Sequence, residues 1–198
     1  MRGSDMYTTF ELKKFEQLII EDECFTAYEF INCEFINCTF TDIQLEKCKV
    51  LECVFRNCKI INLSTKNTHV RNAELSGCSL LGIDWQAMVS EESVASPLFK
   101  VRDSVFKYNH FVKINLLKMD FNESVLQDCI FHRCSMKEAV FKGCNLERTQ
   151  FTDCDLRGSD FREAFGYYVD ITNCQVKKAN FSFPEVVNLL NCLDIKID

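Results

Sequence analysis

The sequence predicts an all-β solenoid, a rod of stacked coils, and three observations carry that prediction. A large apolar residue recurs at every fifth position. A small residue recurs two places before it. Glycine and proline, six and two in 198 residues, are too scarce to mark the chain as low-complexity or collagen-like. A helix would repeat near 3.6 residues and an ordinary half-buried strand at 2, so neither explains a period of five.

The large position reads Phe10, Phe15, Ile20, Phe25, Phe30, Phe35, Phe40, Leu45, Val50, Phe55 and Ile60, lapses at Thr65, and resumes with Val70, Leu75, Leu80 and Trp85. A second run starts one residue out of phase with Val101, Phe106, Phe111, Leu116, Phe121, Leu126, Phe131, Met136, Phe141, Leu146, Phe151, Leu156 and Phe161. It lapses at Gly166 and continues with Ile171, Val176 and Phe181. The small position holds eleven of the thirteen cysteines, all but Cys24 and Cys192. Residues two apart on an extended chain point the same way, so each unit sends one small and one large side chain inward. No unit can bury that pair alone, and stacking of coils is the remedy. Triplets spaced by twenty (Cys38, Cys58, Cys78 and Cys134, Cys154, Cys174) agree with a coil of four units.

The two frames meet near residues 96–98, at Ser96-Pro97-Leu98, where a bulge or short loop is expected. Phe99 and Val101 fit the new frame and Ala95 the old one; the alternative is a larger excursion over 86–95, with Glu91 and Glu92 exposed. Roughly eight coils at strand spacing give a rod of about 38 Å, the length of about eleven base pairs of B-DNA. Residues 1–9 read as a tag remnant (Met1 to Asp5) and lead, 10–181 as the solenoid, and 182–198 as a C-terminal helix and strand. Ser182-Phe183-Pro184-Glu185 has the form of a capping box, with Val186 to Leu193 as the helix and Asp194 to Asp198 alternating like an edge strand. This apolar end predicts a homodimer through Pro184, Val187, Leu190, Leu193 and Ile195, because an unblunted edge aggregates unless paired. A monomer whose helix caps its own last coil is the competing reading.

No catalytic, cofactor or metal site is expected. The cysteines keep the five-residue phase, so they belong to the wall rather than to a converging zinc site. His69, His110 and His132 fall in outward or lapsed slots, and no phosphate-binding glycine loop is present. A net charge of −6 argues against direct nucleic-acid binding. No apolar run reaches the roughly 20 residues that span a bilayer. The absence of a secretion signal beside so many cysteines predicts a cytoplasmic location. Asp120, Glu123, Glu138, Asp160 and Glu163, diluted by Lys142 and Arg162, form a candidate acidic partner-binding face, and Glu29, Glu34, Glu52, Glu74 and Asp84 add acidity in the first run. Solubility alone would also account for such charges.

Ile31-Asn32-Cys33-Glu34-Phe35, Ile36-Asn37-Cys38-Thr39-Phe40 and Arg157-Gly158-Ser159-Asp160-Phe161 resemble the units of the pentapeptide-repeat family. That resemblance implies a right-handed quadrilateral β-helix with one unit per side. A narrower resemblance, to the Qnr-type quinolone-resistance and albicidin-resistance subgroup, rests on Leu81-Gly82-Ile83-Asp84-Trp85 and on Ala164 to Ile171. It extends through Lys177 to Glu185, Leu189-Leu190 and Leu193-Asp194-Ile195. It implies a dimeric DNA mimic that binds DNA gyrase or topoisomerase IV and protects it from drugs or toxins. The alternative is a structural or adaptor rod that binds another protein.

Overall fold

A computed structural model describes residues 7–89, 96–193 and 195. Short strands pair in parallel with the strand twenty residues further on: Phe10 with Phe30, Phe15 with Phe35, Ile20 with Phe40 and Phe25 with Leu45. Those four pairings are the four sides of one coil, so the four-sided β-helix implied by the repeats is the fold. About eight coils stack along the axis.

Each unit turns its corner through one residue at positive φ, two places after the large residue, as at Asn32, Asn37, Asp42 and Asn57. Asn, Asp and Gly take this conformation readily, whereas Lys47 at φ 53° and Arg133 at φ 55° carry a cost of about 1–2 kcal/mol apiece. Coil pairing on both sides offsets it.

The small slot explains the cysteines. Cys48 donates its thiol to the Phe25 carbonyl at 3.2 Å and accepts from the Tyr28 amide at 3.5 Å, both in the coil beneath. Thr68 does the same with a hydroxyl, donating to Leu45 O at 2.8 Å and accepting from Cys48 N at 3.1 Å. The slot therefore selects a small side chain with a donor, which bonds a backbone carbonyl of the coil beneath. All eleven slot cysteines are buried free thiols, while Cys24 is exposed.

From Phe106 onward the core is closely packed. Phe121, Phe141, Phe161 and Phe181 stack face to face at 5.3, 4.8 and 5.1 Å. Phe111, Phe131 and Phe151 form a second ladder at 4.6 and 4.9 Å. Edge-to-face contacts tie the two ladders together, as between Phe141 and Phe151 at 5.4 Å.

Three expectations need correction. The frame change combines the expected bulge with an excursion: Leu80 pairs with Phe106 and Cys78 N reaches Ser104, twenty-six residues on. That coil holds six residues more than its neighbours, so the larger excursion is the right reading at its described start, a single 3₁₀ turn over Gln86–Met88. Residues 90–95, with Glu91, Glu92 and Ala95, lie outside the described residues. The coil returns through a bulge in which Ala73 faces Leu98 and Glu74 faces Lys100. One extra residue reverses the facing of the strand, so Leu98 is buried and Phe99, expected inside, is 64% exposed.

The second correction concerns the lapse at Gly166. Thr149 pairs with Tyr167 and Phe151 with Val169, two residues ahead of the frame. Tyr167 and Val169 take the inner positions, and Ile171 is only half-buried. Gly166 enables the shift: a Cβ there would lie 2.7 Å from Glu147 Cα, at a φ of +75°. Cys154 N reaches Cys174 Sγ at 3.3 Å, so the twenty-residue register is restored by then.

Third, Ser182 and Glu185 do not form a capping box. Ser182 Oγ accepts the Glu163 amide at 2.8 Å and Glu185 Oε2 accepts the Gly166 amide at 3.1 Å. Both side chains reach the preceding coil, where amides at the end of the solenoid lack a further coil. The segment Glu185–Leu193 is a 3₁₀ helix that follows a cis Phe183–Pro184 bond. It lies against the strand Phe165–Val169, with Leu189 packed on the core. Of the expected final strand only Ile195 is among the described residues.

Candidate partner-binding surfaces

The structure brings the predicted acidic residues onto one side, with Asp120 and Asp160, and its two flanking corners, with Glu138 on one and Glu123 and Glu163 on the other. Asp120, Val140, Asp160 and Asn180 follow one another up the same face. Asp160 is held by Arg162 at 2.6 Å, Glu138 by Lys118 at 3.4 Å and Glu163 by Lys142 at 3.6 Å. Asp120 accepts the Asn122 amide at 2.9 Å. Asp120 and Glu123 make no ion pair among the described residues. The Arg162 guanidinium holds the Asp160 carboxyl below the usual carboxylate range, so it stays ionised at neutral pH.

Charge is unevenly spread along the rod. Residues 7–89 carry twelve acidic and eight basic side chains, whereas residues 96–193 carry twelve and thirteen. The acidic surplus of the described chain therefore lies in its first half. There Glu29 pairs with Lys49 at 3.1 Å and Glu34 with Arg56 at 2.8 Å, between adjacent coils.

At the C-terminal end the predicted interface residues form an apolar surface. Pro184, Val187, Leu193 and Ile195 are exposed and Leu190 is half-buried. Phe183, which the sequence reading omitted, is the most exposed of the group at 82%. Phe165 and Tyr168 extend the patch onto the last coils.

The groups weighed for chemistry are held in structural roles. Burial pushes the thiols of Cys53, Cys129 and Cys144 up to about 12, so they stay protonated and unreactive at neutral pH. His69 and His110 are exposed, and His132 Nδ1 lies 3.0 Å from Thr152 Oγ1. Among the described residues no three His, Cys, Asp or Glu side chains converge as a metal site, and no helix is long and apolar enough to cross a membrane.

Sequence reading overlooked Asn109, the fully buried polar residue at the frame change. Its Nδ2 donates to Leu80 O at 3.0 Å and Lys107 O at 2.8 Å, and its Oδ1 accepts Trp85 Nε1 at 3.0 Å. Its place two before Phe111, in the small slot, was the available signal.

Stacked four-sided coils with a thiol-lined small slot and an aromatic core define a repeat solenoid whose variable chemistry is all on the outside. The model of the pentapeptide repeat region matches residues 10–94 and 104–181. The chain belongs to the pentapeptide-repeat family. No curated protein matches it. Among solved structures it is similar to trypsin-treated QnrB1, a plasmid-mediated fluoroquinolone resistance protein. Identity is 16%, coverage 93% of this chain and 100% of that one, and the TM-score 0.46. It is also similar to HetL, involved in heterocyst differentiation regulation in the cyanobacterium Nostoc sp. strain PCC 7120. Identity there is 10%, coverage 86% and 85%, and the TM-score 0.44. Likenesses at this level carry no functional assignment.

Proposed function

We propose that the chain is a DNA-mimicking rod that binds a type II topoisomerase, DNA gyrase first, and confers resistance or immunity to drugs or toxins that act on it. The observation that carries this reading is the acidic surplus on a straight shaft of nucleic-acid-like length, concentrated in residues 7–89. The apolar end formed by Phe183, Val187, Leu193 and Ile195 supports a dimer joined at the C-termini, which would send both acidic halves outward. Two rods of about 38 Å end to end offer such a surface to a basic DNA-binding saddle. The resemblance of the tail motifs to the Qnr-type subgroup is what supports gyrase as the enzyme. Asp120 and Glu123, free of ion pairs among the described residues, are the first members of the predicted face to substitute.

The ion pairs on Glu138, Asp160 and Glu163 favour the second reading, an adaptor for another protein, since a paired acid offers little charge to a partner. A supercoiling assay with purified gyrase, with and without a quinolone or albicidin, separates the two. The gyrase reading expects inhibition, or rescue of the poisoned enzyme, and neither effect would leave only the adaptor. For the dimer, Leu193→Asp should halve the mass measured by light scattering, with Leu190→Asp as its companion. An unchanged mass in both variants rejects the interface.

A further inference from the structure

The two halves of the rod have different interiors. From Phe106 to Phe161 the large core side chains are fully buried, whereas rings stack along the axis in both halves, as at Phe121–Phe141 and Phe35–Phe55. Below Trp85 Phe35, Val50, Ile60, Leu75 and Leu80 are buried, but others of the same positions are only partly buried even where a coil lies above and below, as at Phe40 and Phe55. They line a lumen of about 250 Å³ that runs from Phe10 to Met88 and exposes no polar atom. Apolar cavities of about 150 Å³ stay dry and take up benzene or xenon, so this one is large enough for a ligand.

Its ends are unlike. Trp85 and Met88 close the inner end: Trp85 is stacked on Phe111 at 5.6 Å and tethered to Asn109, and Met88 is turned inward by the excursion. At the outer end Phe10, Phe15, Ile20 and Phe25 are part-exposed, and no described residue covers them. The small slots of that first coil hold Lys13 and Glu23 instead of cysteine, and both are exposed at the rim.

We infer that this lumen is a binding site for a single unbranched hydrocarbon chain, with its polar head at the Lys13 rim and its tail end against Trp85. The lumen spans four coils, about 19 Å at strand spacing, and its volume makes it narrow over that length. A peptide segment is a poor occupant, because its amides and carbonyls would enter a wall that offers them no partner. At the mouth a carboxylate or phosphate head pairs with the Lys13 ammonium on the side away from Glu23.

Trp85 is the sole tryptophan and reports directly on the inner end. Dodecanoate brominated at its terminal carbon is expected to quench most of the Trp85 emission. Dodecanoate brominated beside the carboxylate is expected to quench little. Val50→Phe, which extends the Phe10–Phe30 stack into the lumen, should raise the melting temperature and abolish the quenching, and Val70→Phe does the same one coil higher if the first variant fails to fold. A lysophospholipid with the terminally brominated tail identifies the source. Quenching by the free acid alone assigns the site to free acids, and quenching by both extends it to lysolipids. Quenching by neither, equal quenching by the two dodecanoates, or quenching that survives in a folded filled variant overturns the inference.

Discussion

Phe141→Ala is expected to cost about 3–5 kcal/mol of unfolding free energy, measured by urea titration of the β-sheet circular dichroism. Phe141 is fully buried, stacked on Phe121 at 5.3 Å and on Phe161 at 4.8 Å, with Phe131 and Phe151 edge-on at 6.2 and 5.4 Å. Truncation opens a void between two ladders whose neighbours are locked in register above and below, so the site has little freedom to collapse. A solenoid contacts only its neighbouring coils, so the defect also weakens coupling between the two ends of the rod. Glu138→Ala, on the surface of the same coil, removes only an exposed pair with Lys118 at 3.4 Å and should leave the transition nearly unchanged. A loss below about 1 kcal/mol for Phe141→Ala would mean that the ladder is not packed as described.

Asn109→Ala is expected to cost about 1–3 kcal/mol, because it leaves the buried Trp85 Nε1 without its acceptor. Trp85 Nε1 loses its acceptor and Leu80 O loses the Asn109 amide, while Lys107 O keeps the Gly82 amide at 2.9 Å, all in the coil where the frame changes. A double-mutant cycle with Trp85→Phe isolates the indole bond, with an expected coupling of about 0.5–3 kcal/mol. Additive losses would show that the Asn109–Trp85 contact contributes nothing of its own. The Trp85 emission should shift to longer wavelength in Asn109→Ala, since water then reaches the nitrogen.

The surfaces were less legible than the core. The acids at 120, 123, 138, 160 and 163 were visible in the sequence, as was Arg162 two places from Asp160, but not that Lys118 and Lys142 would meet Glu138 and Glu163. A cross-coil ion pair joins residues about twenty apart and depends on the register, to which linear composition is blind. The apolar tail was legible as a patch, whereas the roles of Ser182 and Glu185 were not. Their spacing matches a local cap, yet the nearest unsatisfied amides belong to Glu163 and Gly166 on the coil beneath.

What the sequence determined by itself was the coil. A five-residue period, a small donor slot and a left-handed corner residue are local requirements, met within each unit, and they repeat through most of the chain. Only the tertiary structure decided where that rhythm breaks. Leu98 and not Phe99 is inside because the strand returning from the excursion meets Ala73 with one residue to spare. Tyr167 and Val169 displace the expected residues because Tyr167 fits beside Phe161 at 5.5 Å once Gly166 lets the backbone close on Glu147. In both places the choice is made by partners eighteen to twenty-six residues away, beyond the reach of any local pattern.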